Sequence, residues 1–267
     1  MTGFEKLKIA EEKNNSLVCV GLDIVADRMP SHIERSIDGM LQFNREIIDA
    51  TSDLVSSYKI NFAFYEQYGI RGFELLQKTI ESIPNDIHII ADAKRGDIGN
   101  TSNAYARAVF EEFECDSITV NPYMGEDSVS PFLSYKDKMV FLLCLTSNSG
   151  SNDFEKQKIG SDYLYEIVLE KSMKWGSAEN LGFVVGATHP NELKSIREKS
   201  NYNYFLIPGV GAQGGNAEDV VEANGNGPAI INSSRGIIYA GGNEKKYSDF
   251  SRLAALELRN QLNESRY

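Results

Sequence analysis

Eight short apolar runs recur along the 267-residue chain, and a polar cluster and a stretch of helical spacing follow each one. The runs cover residues 16–23, 58–61, 87–94, 117–120, 139–145, 181–185, 204–207 and 229–232. Runs this short and this continuously apolar read as strands buried on both faces, as in a parallel sheet. The intervening patterns, such as Met40, Phe43, Ile47, Ile48 and Leu54, repeat with the period of a helix, and further helices are expected over about 65–83, 104–113 and 162–175. About eight strand–helix alternations with no break in composition predict an α/β fold of the (β/α)8 TIM-barrel type, one domain spanning 1–267. The competitor is a doubly wound open sheet, which usually carries a Gly-rich dinucleotide fingerprint after its first strand. Gly21-Leu22-Asp23-Ile24 is nothing like one. Ahead of the first strand, Phe4, Leu7 and either Ile9 or Ala10 share one helical face. Residues 1–15 should therefore form a helix capping the bottom of the barrel.

Charge and residue usage narrow the function. A formal net charge of −11 is unfavourable for a nucleic-acid surface, but a few cations in a cleft can still reverse the local potential for a small anion. The start of the chain is charged and lacks the apolar core of a secretory signal, and no run is long enough to span a bilayer. Cys19, Cys115 and Cys144 are odd in number, far apart and set among apolar residues. That pattern suits reduced, buried thiols in the cytoplasm better than disulfides or zinc. His32, His88 and His189 are too scattered for a metal cage, and no Gly-x-Ser-x-Gly elbow occurs. The expectation is a cytoplasmic enzyme with neither metal nor cofactor, and with no nucleic-acid or membrane partner.

In a barrel, the residues at the carboxyl ends of the strands meet at one mouth. Here Asp23 comes from the first strand, Lys59 and Asn61 from the second, and Asp92 and Lys94 from the third. Thr146 and Ser147 follow the fifth, Pro208 to Gln213 the seventh, and Ser234 and Arg235 the eighth. Strand alternation places Asp92 and Lys94 on one face, with Asp97 three residues on in the loop or first helical turn. Taken alone, Asp-x-Lys-x-x-Asp reads equally well as a charged loop in solvent. The neighbouring strand end decides for a site, because Lys59 can reach Asp92, and Asp92 can reach Lys94. The Gly-rich stretch from Pro208 to Gly215, with Arg235 in the adjacent strand end, has the makings of a phosphate site; a tight turn is the plainer alternative. His189 reads as a surface-loop residue. Tyr58, Tyr65, Tyr68 and Tyr105 read as packing or interface residues, Glu111, Glu112 and Glu114 as a solvated helix face, and Trp175 as core or cap.

These motifs resemble a known family. Asp92-x-Lys94-x-x-Asp97-Ile98, the upstream Lys59, the stretch from Pro208 to Gly214 and the distal Arg235 are similar to orotidine 5′-phosphate decarboxylases. The segment from Ile90 to Thr101, Val120 to Gly125 and Val185 to Thr188 look like its second bacterial-type subgroup. The resemblance runs in order along essentially the whole chain. It implies cofactor- and metal-independent decarboxylation of orotidine 5′-monophosphate (OMP) to uridine 5′-monophosphate (UMP), the last step of de novo UMP synthesis. Lys94 would protonate C6, Asp92 would lie against the substrate carboxylate, and Lys59 and Asp97 would complete the charged array. It also implies a homodimer in which Asp97, Ile98 and Thr101 enter the partner's site. Asp23, Lys59 and Asn61 would meet the ribose, Thr146 and Ser147 the pyrimidine, and Gln213 and Arg235 the phosphate, with Pro208 and Ser234 as further substrate contacts. Two positions depart from the pattern: Ile24 and Ser149 stand where proline is common, which bears on loop stiffness. Two rivals remain. One is a magnesium-dependent sugar-phosphate enzyme using Glu66 as an extra carboxylate; the other is a nucleotide-binding barrel without turnover.

Overall fold

The computed structural model describes residues 1–210 and 215–266. Its eight barrel strands are β1 (Val18–Gly21), β2 (Ser57–Asn61), β3 (His88–Arg95), β4 (Ser117–Val120), β5 (Met139–Leu145), β6 (Leu181–Val185), β7 (Phe205–Pro208) and β8 (Ala229–Ser233). All pair in parallel with their sequence neighbours, and β8 closes on β1 through Val18–Ile231 and Val20–Ser233. The eight apolar runs are therefore the eight staves of a closed (β/α)8 barrel. Register sets Lys59 beside Gly21 on one side and Ile90 on the other, and Asn61 beside Asp92.

Strand alternation divides the core in two. Cys19, Ile90, Met139, Phe141, Val184, Leu206 and Ile230 fill the barrel interior, and alternate residues such as Val18, Val20, Ile89 and Ala91 pack outward beneath the helices. At the amino end of the barrel, the helix Gly3–Asn14 starts on a capping box between Thr2 and Glu5 and contributes Leu7 to the interior cluster. Gly3 ties it down, its N–H donating to Asp137 O (2.7 Å) and its carbonyl meeting His88 Nδ1 (3.0 Å).

Three helical stretches differ from the periodicity. The pattern over 65–83 is broken at Gly69, whose φ of +60° ends the short helix Ala63–Glu66 before Ile70–Glu81 begins. The helix expected over 104–113 starts earlier, at Gly99, and widens into a π turn at Ala108–Glu112. Residues 158–163 form a small antiparallel pair, so the helix expected over 162–175 begins only at Leu164. Among the described residues no helix is long and apolar enough to cross a membrane.

Candidate active site

The polar strand ends converge on a cavity of about 280 Å³ at the carboxyl mouth. Asp23, Lys59, Asn61, Asp92, Lys94, Thr146, Ser147, Pro208, Ser234 and Arg235 all line it. Gln213 lies outside the described residues. Among the described residues the lining holds three cations against two carboxylates, a local excess of positive charge within a chain of net −11. Such a cleft attracts an anion.

An interleaved charge array forms the floor. Lys59 Nζ lies 2.9 Å from Asp92 Oδ2 and 3.3 Å from Asp23 Oδ1, and Lys94 Nζ lies 2.5 Å from Asp92 Oδ1. Lys59 and Asp92 are only 4% and 8% exposed, so neither could stay charged without these partners. Burial alone would lower the Lys59 ammonium, but Asp23 and Asp92 together outweigh it and hold it above the ordinary lysine range. Burial would likewise raise Asp92, and the two ammonium groups instead hold it below the usual carboxylate range. Both groups stay ionised at neutral pH.

Lys94 reaches Asp92 by a route that simple alternation does not describe. Between the β3–β4 pairs, β3 advances from Ala91 to Arg95 while β4 advances only from Ile118 to Val120. That is a bulge. Within it Lys94 takes φ +46°, a left-handed conformation uncommon for a residue with a side chain. Thr119 secures the distortion: its Oγ1 accepts from the Lys94 N–H (3.0 Å) and donates to Asp92 Oδ1 (3.0 Å). A second bulge, at Cys144 between β5 and β6, lies two residues before Thr146.

The remaining predicted residues separate into two groups. Asn61 Oδ1 accepts from Ala63 N–H (3.1 Å), which turns the chain out of β2 at the rim. Ser234 caps a single turn, Arg235–Ile238, that swings Arg235 to the mouth. Asp97, Ile98 and Thr101 do not line the cavity of their own chain. Asp97 Oδ1 accepts from Ile98 N–H (2.8 Å), and Ile98 is 52% exposed. Glu66 is engaged elsewhere, in an ion pair with Arg95. His189 is half-buried instead of lying on the surface, its Nδ1 3.3 Å from Lys156 Nζ.

Thr119, Asn148 and Asn232 also line the cavity and were not singled out from the sequence. Asn232 Oδ1 is a buried acceptor without a partner among the described residues. Ser117-Ile118-Thr119-Val120 does alternate polar with apolar, a signal that could have marked Thr119 as facing inward.

Comparison with known proteins agrees with this geometry. Residues 16–250 match the orotidine 5′-phosphate decarboxylase / HUMPS family. An orotidine 5′-phosphate decarboxylase of Dehalococcoides mccartyi (strain CBDB1) is 51% identical over 263 residues, covering 96% of this chain and 94% of the relative. That of Bacteroides fragilis (strain YCH46) is 46% identical over 267 residues, covering 98% and 96%. The structure of Leishmania donovani OMP decarboxylase superposes with a TM-score of 0.87 at 36% identity, over 100% of this chain and 99% of its own. With barrel order, mouth chemistry and likeness agreeing over nearly its full length, the chain belongs to the orotidine 5′-phosphate decarboxylase / HUMPS family.

Proposed function

We propose that this chain is a carboxy-lyase that converts OMP to UMP and CO2 in pyrimidine biosynthesis, with Lys94 as the proton donor to C6. The observation that carries the reading is the Asp23–Lys59–Asp92–Lys94 array on the floor of an anion-attracting cavity. Breaking the C6–carboxylate bond leaves its electron pair on C6, in the plane of the pyrimidine and outside its π system. A Schiff-base electron sink cannot absorb such a pair, so fixed charge has to stabilise it. An ammonium group about 4 Å away contributes roughly 4 kcal/mol at an effective dielectric near 20. Lys94 then transfers a proton to C6, and CO2 departs with no redox change. Asp92, held ionised between two lysines, faces the substrate carboxylate; Lys59 keeps Asp92 and Asp23 oriented, and Asp23 and Asn61 meet the ribose. Thr146 and Ser147 read the pyrimidine, while Pro208, Gln213, Ser234 and Arg235 hold the phosphate. Phosphate binding, remote from C6, supplies energy for closing the site.

The working unit is a homodimer in which Asp97, Ile98 and Thr101 complete the partner's cavity. Their absence from their own chain's cavity supports this, as does the apolar exposure of Ile98, Tyr105, Tyr123 and Met124 around them. Ser102 Oγ bonds Ser128 O (3.0 Å), which sets the helix Gly99–Arg107 beside the helix that follows the 121–125 loop. The chain is one domain over 1–267, and the reaction is cytoplasmic, in keeping with three buried free cysteines.

No metal takes part in this reading. A magnesium enediolate route would need an extra carboxylate, and the Arg95 guanidinium already engages Glu66. The test is loss of OMP absorbance on adding the protein, with and without EDTA. Equal rates are expected; activity abolished by EDTA would overturn the metal-free route, and no turnover of OMP under either condition would overturn the reading itself.

A further inference from the structure

We infer that Glu155 is a positioning residue for recognition of the pyrimidine: it acts from outside the cavity by fixing the backbone and hydroxyl of Thr146. This rests on the reading of Thr146 and Ser147 as the base-facing pair. Glu155 lies in the loop after β5, nine residues beyond Thr146, and among the described residues its carboxylate takes its hydrogen bonds from Thr146. Thr146 N–H donates to Oε2 (2.7 Å), and Thr146 Oγ1 lies 2.8 Å from Oε1 and 3.1 Å from Oε2. The loop is anchored independently of this, since Glu155 O accepts from Tyr165 N–H (3.0 Å) and Lys156 N–H donates to Ser151 O (3.0 Å).

Two features show that the carboxylate supports the site without being a wall of it. Glu155 does not line the reaction cavity; it lines the adjoining apolar pocket, with Leu143, Cys144, Leu164 and Tyr165. A half-buried carboxylate among such neighbours needs donors, and Thr146 supplies two from one residue. On the opposite side, the backbone of Ser147 is pressed against Gly186, where a Cβ would come within 2.8 Å of Ser147 N and Cα. Thr146–Ser147 is thus clamped between β6 and the Glu155 carboxylate, just beyond the bulge at Cys144. The Thr146 hydroxyl has a single proton, for which Asn148 Oδ1 also competes at 2.7 Å. Removing Glu155 hands that proton to Asn148 and frees the Thr146 N–H. The segment then loses its set at the base end, while the ribose and phosphate residues at the carboxyl ends of β1, β2, β7 and β8 are untouched.

The test compares two ligands by calorimetry, UMP and ribose 5-phosphate, which lacks the base. Glu155→Ala should weaken UMP roughly tenfold, the scale of one lost charge-assisted hydrogen-bonding set, and leave ribose 5-phosphate within about twofold. Glu155→Gln keeps one acceptor for the Thr146 N–H and should recover part of the loss. Equal weakening of both ligands, or of neither, in Glu155→Ala overturns the inference. So does a Glu155→Gln protein no better than Glu155→Ala. A wild-type chain that binds ribose 5-phosphate but not UMP overturns the underlying reading of the cavity, and the inference with it.

Discussion

Replacing Lys94 by alanine removes one side chain from the charge array and leaves its support standing. Asp92 would keep Lys59 at 2.9 Å and Thr119 at 3.0 Å, so the carboxylate stays ionised and the cavity keeps its shape. Loss of an ammonium about 4 Å from the developing carbanion costs roughly 4 kcal/mol, about three powers of ten in rate. Loss of the general acid costs about a further hundred- to ten-thousand-fold. Turnover should therefore fall by roughly five to seven powers of ten, with UMP affinity held within about tenfold. Single-turnover decay of OMP absorbance with enzyme in excess measures the first quantity, and calorimetric titration with UMP the second. The left-handed backbone at Lys94 adds an internal check. Alanine retains the strain of φ +46° and glycine relieves it, so Lys94→Gly should be about 1 kcal/mol more stable than Lys94→Ala and equally inactive. A drop in turnover smaller than about a hundredfold would refute the assignment of Lys94 as the acid.

Mixing inactive Lys94→Ala with inactive Asp97→Ala should regenerate activity through hybrid dimers that contain one intact site; no recovery after proven subunit exchange would return Asp97 to its own subunit's chemistry or to none. At the base of the barrel, burial holds His88 neutral, with its pKa pushed down to about 4 from 6.5, between Gly3 O and Ser117 Oγ. Its folded pKa lies below its unfolded one, so its contribution is complete above pH 6.5 and is lost as pH falls toward 4, about 3 kcal/mol in all. Burial acts oppositely on Glu11, pushed up to about 8, whose contribution is complete below pH 4.5 and is lost as pH rises toward 8. The difference between wild type and His88→Asn in urea unfolding at pH 7.5 and pH 5 isolates the histidine; an unchanged difference would contradict the burial argument. Gly227→Ala would drive a Cβ to within 2.6 Å of the Arg197 guanidinium, whose five N–H groups all have acceptors. It should cost about 2–4 kcal/mol in urea unfolding, and a loss under about 1 kcal/mol would show that this packing yields.

Much of the site was legible because barrel topology turns sequence position into spatial position. A polar residue at the end of an apolar run has one place to go when the run is a barrel strand, and Asp23, Lys59, Asp92, Thr146 and Arg235 all arrive there. Lys59 and Asp92 were readable as partners because β2 and β3 are neighbours and their in-facing residues alternate in step. Glu155 was not readable, since it belongs to a loop whose fold-back depends on the turn at Ser149–Asn152 and on Tyr165, and no period governs either. The rim residues Ile98 and Thr101 were singled out only through family resemblance, as nothing in a single chain's pattern distinguishes an exposed residue from one that faces a second copy.

The barrel, its strand order and the identity of the charges at its mouth are all written in local sequence, because hydrophobic periodicity and strand-end polarity survive without tertiary information. How Lys94 meets Asp92, by contrast, is set by pairing between strands. Period-two alternation assumes a regular strand, and β3 is irregular where the chemistry sits. The extra length between Ala91 and Arg95, the left-handed turn at Lys94 and the Thr119 hydroxyl that holds both ends arise from pairing with β4, whose register no run of residues in β3 encodes. The same holds for Lys59, whose charge is sustained by carboxylates brought to it from the ends of two other strands.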